Sequence, residues 1–469
     1  MKRQLLAAGV LFVGICVFNW HAIDDPPFWD AAIGMHPAAI WISEKGLSDL
    51  LNQPPCQRGG PNTHSLSLGT FVAAGCYRLF EHPLRIMHIG TFALAAAAAF
   101  GVYQLAFPLG TWPAIATAAA FATFPAMMAQ MQALYLEIPM TACAIWSLIA
   151  WRADRRKLAI LLATLAFWFC ERGIVAPGAL VIAGFIDEKG FWRRVRWSVA
   201  AAPALVIFAV QRYKSPHVDF TRPHLNILLG NLGGRFSAAW DVYMVTALGF
   251  AAAYLIWTTN KLPAIFLATF AAFFLVSGFI FPTYLLPRYF VLALPVATLA
   301  IVTLLNERLG QRAAFAGCAV LMAYAAVNHR GALFQANPTN EGSIAERSLE
   351  YRDLLAVHRD CAKGIETNWP SFYGYPEHFL VSYPKMGYVA QPAPWSALVA
   401  EHVTNLETLI RRHPERSPTL RFVYDWSQGA GAEYVRKLLA LAKEHGWRVE
   451  EAKRFERGRY IAKIVEVSP

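Results

Sequence analysis

The sequence predicts an α-helical polytopic membrane protein of about eleven transmembrane helices, followed by a C-terminal α/β soluble domain. Three observations carry this expectation. Apolar residues make up 56% of the chain and charged residues only 16%, with mean hydropathy +0.35, where a soluble domain carries about 25% charge. Apolar runs long enough, or nearly so, to span a bilayer recur as far as residue 329. Lys and Arg gather in alternate connections between those runs.

The runs cover 4–22, 84–106, 112–132, 136–151, 157–172, 174–187, 197–212, 241–258, 262–281, 289–305 and 313–329. The first follows Lys2 and Arg3 as a signal peptide would, but Asn19-Trp20-His21-Ala22 is too bulky for a cleavage site. It is therefore expected to remain as the first helix, with its basic end in the cytoplasm. The inside connections then read MKR, WRADRRK, DEKGFWRRVRW, NK and NERLGQR, while the turn at 107–111 carries no charge. This bias places 23–83, the turn near Glu137, 213–240, 282–288 and everything beyond about residue 330 outside.

Two domains follow: 1–330 in the membrane, with the long outer loop 23–83, and 331–469 as an extracytoplasmic α/β unit. In the latter, residues 432–445 repeat apolar side chains at helical spacing and Gly446 follows as a stop. RFVYDW and RYIAKIVEV read as strands. It contains no glycine-rich nucleotide loop and no nucleophile elbow, so guiding an acceptor suits it better than catalysis. The formal charge of +11 is explained by topology, and no nucleic-acid partner is expected. The seven cysteines are scattered, without CxxC or metal-like spacing, which implies neither a disulfide framework nor a zinc site.

The chemistry-bearing residues gather on the outer side. Asp24, Asp25 and Asp30 fall within DDPPFWD at the exit of the first helix. Solvated carboxylates capping a juxtamembrane helix are the bland alternative, but Asp30 stands among Phe28, Trp29 and Ala31 rather than polar neighbours. The stretches 31–50 and 66–80 have the apolar spacing of helices lying on the interface. Glu137, between two apolar runs, either marks the interface or faces a cavity or partner. Glu171 and Arg172 form another ionisable pair at a membrane edge; as helix neighbours they point about 100° apart and do not neutralise each other. Arg288 opens the tenth run on the same side, where a snorkelling arginine is the alternative.

The order of these features resembles the GT-C superfamily of membrane glycosyltransferases. Within it, the polyprenyl-phosphate-sugar-dependent group is the nearest match: protein O-mannosyltransferases, aminoarabinose transferases and lipopolysaccharide-core galacturonosyltransferases. PFWDAAIGMHPAAIWISEKG is similar to the acidic motif of the family's first outer loop, with Asp30 at its Asp. NTHSLSLGTFVAAGCYRLFEHPLRIMHI is similar to the following His-led stretch, with His64 leading. LYLEIPMTA resembles the segment with a second acid before Pro, and FWFCERGIVAP the helix with a basic residue near its outer end. PRYFVLALP resembles an RYxLPxLP signature, matched by Arg288 and Tyr289. Ala31 stands where the family has Glu, His64-Ser65-Leu66 where it has His-Pro-Pro, and Glu171-Arg172 where it has Lys.

The resemblance implies inverting transfer of one sugar, hexose or pentose, from a polyprenyl-phosphate donor to an envelope lipid, glycan or protein at the outer face of a bacterial inner membrane. It implies Asp30 as the catalytic base, with Glu137, Asp25 and Asp24 as further acids. Arg172, Arg288, Tyr289 and His64 would hold the donor phosphate. No cofactor is certain; a divalent metal held by His217 and His224 with an acid is the candidate. Membrane lipids are expected partners. A transporter, flippase or polymerase of lipid-linked saccharides is the alternative, although repeats and broken helices, the marks of a transporter, are not evident in the sequence. A non-catalytic assembly protein is a further one, kept open by Ala31.

Overall fold

The computed structural model describes residues 2–27, 31–52, 66–214, 240–280 and 287–327. Beyond these it describes 353, 356–357, 359–361, 371–373, 384–387, 396–398, 420–425, 429–444, 446–458 and 460–468. Each of the eleven apolar runs contains a helix. They are α1 (Lys2–Asn19), α5 (Pro83–Ala106), α6 with α7 (Thr111–Ala122 and Pro125–Gln132), α8 (Glu137–Arg152), α9 (Arg156–Phe169) and α10 (Val175–Asp187). They continue with α12 (Ala202–Lys214), α13 (Trp240–Leu255), α14 (Lys261–Ile280), α15 (Leu294–Leu309) and α16 (Gln311–Val327). The short α11 (Phe191–Val195) lies in the connection before α12. In the outer loop, α2 (His36–Lys45), α3 (Leu47–Asn52) and α4 (Leu68–Leu79) form where interfacial helices are expected.

Length is where structure and sequence part. Among the described residues, only Pro83–Leu109 is long and apolar enough by itself to cross a bilayer, which takes about 20 residues. Shorter apolar helices occur at Leu6–Ala22, Val242–Leu255, Lys261–Val276 and Gln311–Val327. The run at 112–132 is broken: Pro125 removes a helical donor, and the halves α6 and α7 meet at 56°. A second break falls at Cys170, extended at φ −151° and ψ 139°, before a 3₁₀ turn at Glu171–Ile174. Broken helices are thus present, contrary to the sequence reading.

The bundle buries a set of polar side chains within its apolar core and turns apolar side chains outward. Thr117, Gln130, Thr141 and Ser147 are fully buried, while Leu6, Val10, Val13 and Val17 of α1 are exposed. Phe315, Val320 and Val327 of α16 also face outward. Water would reverse this distribution; hydrocarbon accepts it, and buried polar side chains then join helices to one another. Small residues let the helices approach: the buried face of α5 includes Ala95, Ala98 and Ala99, and Gly249 of α13 lies against the Ala297 backbone of α15.

The C-terminal part contains a five-stranded mixed sheet. The strands are β1 (Ser371–Tyr373), β2 (Ser396–Leu398), β3 (Leu420–Asp425), β4 (Arg448–Arg457) and β5 (Tyr460–Ser468), in the order β2-β1-β3-β5-β4. β1 is parallel to β2 and β3, whereas β5 is antiparallel to β3 and β4. β5 buries Tyr460, Ala462 and Ile464 at alternate positions, as a half-buried strand should. Helix α17 (Gly429–Glu444) packs on β3 and β4, and Gly446 takes φ +76° just beyond its end. This part meets the outer loop through Lys385, whose Nζ lies 2.7 Å from Glu44 Oε1, and through Arg359.

A Cβ at position 249 would stand 2.5 Å from Ala297 Cα, which is backbone and cannot swing away. Gly249→Ala should therefore destabilise by about 1–3 kcal/mol, read as a lower thermal midpoint in detergent. Gly90→Ala, where a Cβ meets nothing within 4 Å, is the control and should be neutral or mildly stabilising.

Candidate active site

Three breaks in helical structure converge on one narrow cavity of about 20 Å³. The first is the connection before α8, where Leu134 is held at φ +53°. A non-glycine residue there costs on the order of 1 kcal/mol, and the turn brings Tyr135 and Glu137 to the cavity wall. The second is the break after α9, where Gly173 folds the chain back so tightly that a Cβ would sit 2.2 Å from the Ala166 carbonyl oxygen. That turn carries Arg172. The third is a 3₁₀ turn, Pro287–Phe290, carrying Arg288 and Tyr289. The wall is completed from the outer loop by Ala31 and Met35, the ends of a π-helical turn that runs into α2.

Glu137 is the centre of this arrangement and only 2% exposed. Its Oε1 accepts a hydrogen bond from Arg172 Nη2, and Arg288 Nε lies 3.7 Å from the same oxygen. The Arg172 guanidinium lies 4.0 Å from the centre of the Tyr289 ring. Arg288 stands 4.8 Å from that of Tyr135 and 5.4 Å from that of Tyr289. An isolated carboxylate at this depth would be strongly disfavoured; guanidinium pairing and cation–π contacts make it tolerable. Arg172 Nε has no hydrogen-bond partner among the described residues. Two planar donor forks beside a cavity suit a phosphate, which accepts paired N–H bonds.

Of the residues singled out in the sequence, Glu137, Arg172, Arg288 and Tyr289 come together here from separate segments. Asp30, His64, His217 and His224 lie outside the described residues; Ala31, next to Asp30, lines the cavity. Asp24 and Asp25 do not line it. Asp24 accepts from Arg85 at 2.8 and 3.1 Å, and this hydrogen bonding holds its carboxyl below the usual carboxylate range. Asp25 Oδ1 accepts from Arg359 Nη1 at 2.9 Å, while Arg359 Nη2 donates to the Asp24 carbonyl at 2.8 Å. His88 Nε2 donates to the Asp25 carbonyl at 2.8 Å. Among the described residues, no three His, Cys, Asp or Glu side chains are grouped to hold a metal ion.

The sequence reading passed over Tyr135, Arg359 and a buried His36–Tyr77 pair. Tyr135 stands two residues before Glu137 and looks like one more aromatic in an apolar run. His36 Nδ1 and Tyr77 Oη share a 2.7 Å hydrogen bond between α2 and α4. His36 is fully buried, and burial pushes its pKa down to about 3.

Glu137→Gln should leave two buried guanidiniums without their carboxylate and destabilise by about 3–5 kcal/mol. Adding Arg172→Met should recover part of that loss; strictly additive thermal shifts would show that the two side chains are not coupled. For His36 the folded pKa lies below the ordinary 6.5, so the unfolded chain takes up the proton first as pH falls. Stability should drop by up to about 1.4 kcal/mol per unit from pH 6.5 towards about 3. His36→Gln should flatten the thermal-midpoint profile between pH 6.5 and about 4.5, and parallel profiles would rule this contribution out.

No family model and no curated protein sequence matches the chain. Among solved structures it is similar to ArnT from Cupriavidus metallidurans bound to undecaprenyl phosphate, with a TM-score of 0.55, 16% identity and 97% of each chain covered. It is likewise similar to the apo state of the same protein, with a TM-score of 0.53, 16% identity and the same coverage. The chain thus has the fold of ArnT, a GT-C aminoarabinose transferase.

Proposed function

We propose that this chain is a membrane glycosyltransferase that moves one sugar from a polyprenyl-phosphate carrier to an acceptor hydroxyl, inverting the anomeric centre. The observation that carries the reading is the buried Arg172–Glu137–Arg288 cluster beside a cavity bounded by Ala31. It occurs in a fold shared with a protein solved with undecaprenyl phosphate bound. The eleven apolar runs then span the membrane, some as short or broken helices, and the cavity opens on the extracytoplasmic face of a bacterial inner membrane. The sugar is a hexose or pentose, and the acceptor is an envelope lipid, glycan or protein.

In the proposed step, the acceptor oxygen attacks the anomeric carbon from the side opposite the carrier. The bond from that carbon to the phosphate oxygen breaks, and its electron pair leaves with the phosphate. Asp30 takes the acceptor proton as general base. Arg172 and Arg288 stabilise the charge gathering on the leaving phosphate, with Tyr289 holding the Arg172 plane. Glu137 fixes both guanidiniums in position; burial would make them costly to leave unpaired. Lipid solvation lets the polyprenyl tail remain in the bilayer.

Full-length protein incubated with radiolabelled polyprenyl-phosphate sugars and a membrane extract should transfer label. Asp30→Asn should lower transfer by about 10²–10⁴-fold with folding retained, and Asp24→Asn should matter less. Arg288→Lys keeps the charge but loses the fork, and should slow transfer by about 10²-fold. Equal labelling by wild type and Asp30→Asn would move the base to another acid, Glu137 first. No labelling across a broad donor panel would favour transport of a lipid-linked saccharide instead, the reading to which the broken helices lend support.

A further inference from the structure

A second, larger cleft lies at the opposite end of the bundle. Helix α8 runs from Glu137 at the candidate active site to Arg152, roughly 22 Å away, and Arg152 lines a partly open cavity of about 560 Å³. Its wall is assembled from the very connections assigned to the cytoplasmic side. The turn 107–111 gives Pro108 and Leu109, the α8–α9 connection gives Arg152 and Arg156, and α10 gives Asp187. The α13–α14 connection gives Asn260 and Lys261, and α15 gives Glu307. Charges that served only to orient the helices could stand anywhere on that face. Instead, residues from five connections meet around one space.

The chemistry of the wall is mixed and specific. Arg156 lies with its guanidinium 3.8 Å from the centre of the Trp151 ring, its Nε donating to Asp154 at 2.7 Å. Its Nη1 is buried and has no hydrogen-bond partner among the described residues. Arg152 makes one long bond of 3.4 Å to the Leu105 carbonyl. On the other wall, Glu307 accepts from the Thr259 hydroxyl at 3.1 Å. Three cations would bind a phosphate, yet Asp187 and Glu307 would repel a ligand that is only anionic. A ligand carrying both a phosphate and a primary ammonium satisfies the two sets together. Exposed Phe107, Trp112, Phe191, Trp192 and Trp257 stand at the same end. Such aromatics settle at head-group level, which places the cleft where lipid head groups lie.

We propose that this cleft is a binding site for the head group of an ethanolamine-type phospholipid. The phosphate is held by Arg152, Arg156 and Lys261, and the ammonium by Asp187 and Glu307. The inference is independent of sugar transfer and rests on the membrane setting of the bundle.

The test is native mass spectrometry of the delipidated full-length protein in a maltoside detergent. It is titrated separately with phosphatidylethanolamine, phosphatidylcholine and phosphatidylglycerol. Phosphatidylethanolamine should bind about tenfold more tightly than phosphatidylcholine, whose ammonium has no N–H to donate. Arg156→Gln should weaken phosphatidylethanolamine about tenfold or more. Lys261→Gln, at an exposed position, is a second variant that does not disturb the packed bundle and should weaken binding in the same sense. Glu307→Gln should abolish the preference for ethanolamine over choline. Soluble phosphoethanolamine should compete only weakly; competition at the affinity of the lipid would assign the site to a free solute and overturn the lipid proposal. Tightest binding of phosphatidylglycerol, or equal binding of all three lipids unaffected by the variants, would also overturn it.

Discussion

The structure turns on one carboxylate inside an apolar bundle. Glu137 is almost wholly buried, and its charge is tolerated there because Arg172 and Arg288 reach it from two other segments. Each of the three residues needs the others. Removing the acid strands two guanidiniums; removing an arginine weakens the compensation of a buried negative charge. This mutual need accounts for the local irregularities. A straight helix through Cys170 would carry Arg172 along the helix axis, and the extended Cys170 with the tight turn at Gly173 redirects it. The left-handed Leu134 does the same for the approach to Glu137. Backbone irregularity within a membrane bundle is tolerated where it lines a cavity or is buried in protein, and these breaks meet that condition.

The outer loop is tied to this centre by a second set of charges. Arg85 and Arg359 take the Asp24–Asp25 pair from two directions, and His88 holds the Asp25 carbonyl. Arg359 belongs to the chain beyond the helices, so the C-terminal part bonds directly to the backbone leading into the acidic motif. On the far side of that motif, Ala31 is packed at the cavity wall. The Asp24–Arg85 pair is largely exposed and contributes little by itself. The deeper Asp25–Arg359 pair, with a carbonyl bond added on each side, is better placed to hold the loop.

Much of this was legible in the sequence, and the remainder was hidden for identifiable reasons. Hydropathy locates a helix within every apolar run because burial and lipid exposure both select apolar residues. It does not reveal the 56° bend at Pro125 or the break at Cys170, because a hydropathy window averages over a local change in dihedrals. Glu137 and Arg288 stand out as ionisable residues beside apolar runs, yet their pairing is a tertiary fact separated by much of the chain. Arg172 turns to Glu137 and not to its sequence neighbour Glu171, but from a 3₁₀ turn and not from the α-helix that the angular argument assumed. Strand β3, strand β5 and helix α17 carry readable periods. Strand β4 was missed because RVEEAKRFER is exposed at nearly every position, so no apolar face marks its alternation. Its pairing with β5 is what makes it a strand.

The two charged sites stand at opposite ends of α8, and the helix itself favours that polarity. Glu137 occupies the first turn, where the partial positive charge of unpaired N–H groups stabilises an anion; Arg152 occupies the last, where carbonyls favour a cation. In lipid, screening by water and salt is weak, so this preference reaches further than it would on a soluble surface. The same asymmetry agrees with the cytoplasmic side that the charge bias of the sequence predicts for the basic end. The sign of the charge at each end of this one helix thus agrees both with its dipole and with the predicted topology. The pair of arginines at the candidate active site, Arg172 and Arg288, lies away from both ends of this helix in sequence. Both are held by a buried acid and by aromatic rings rather than left in solvent. Two buried cations pinned in this way beside one carboxylate mark a place where the bundle holds positive charge at a cost that burial alone would not repay.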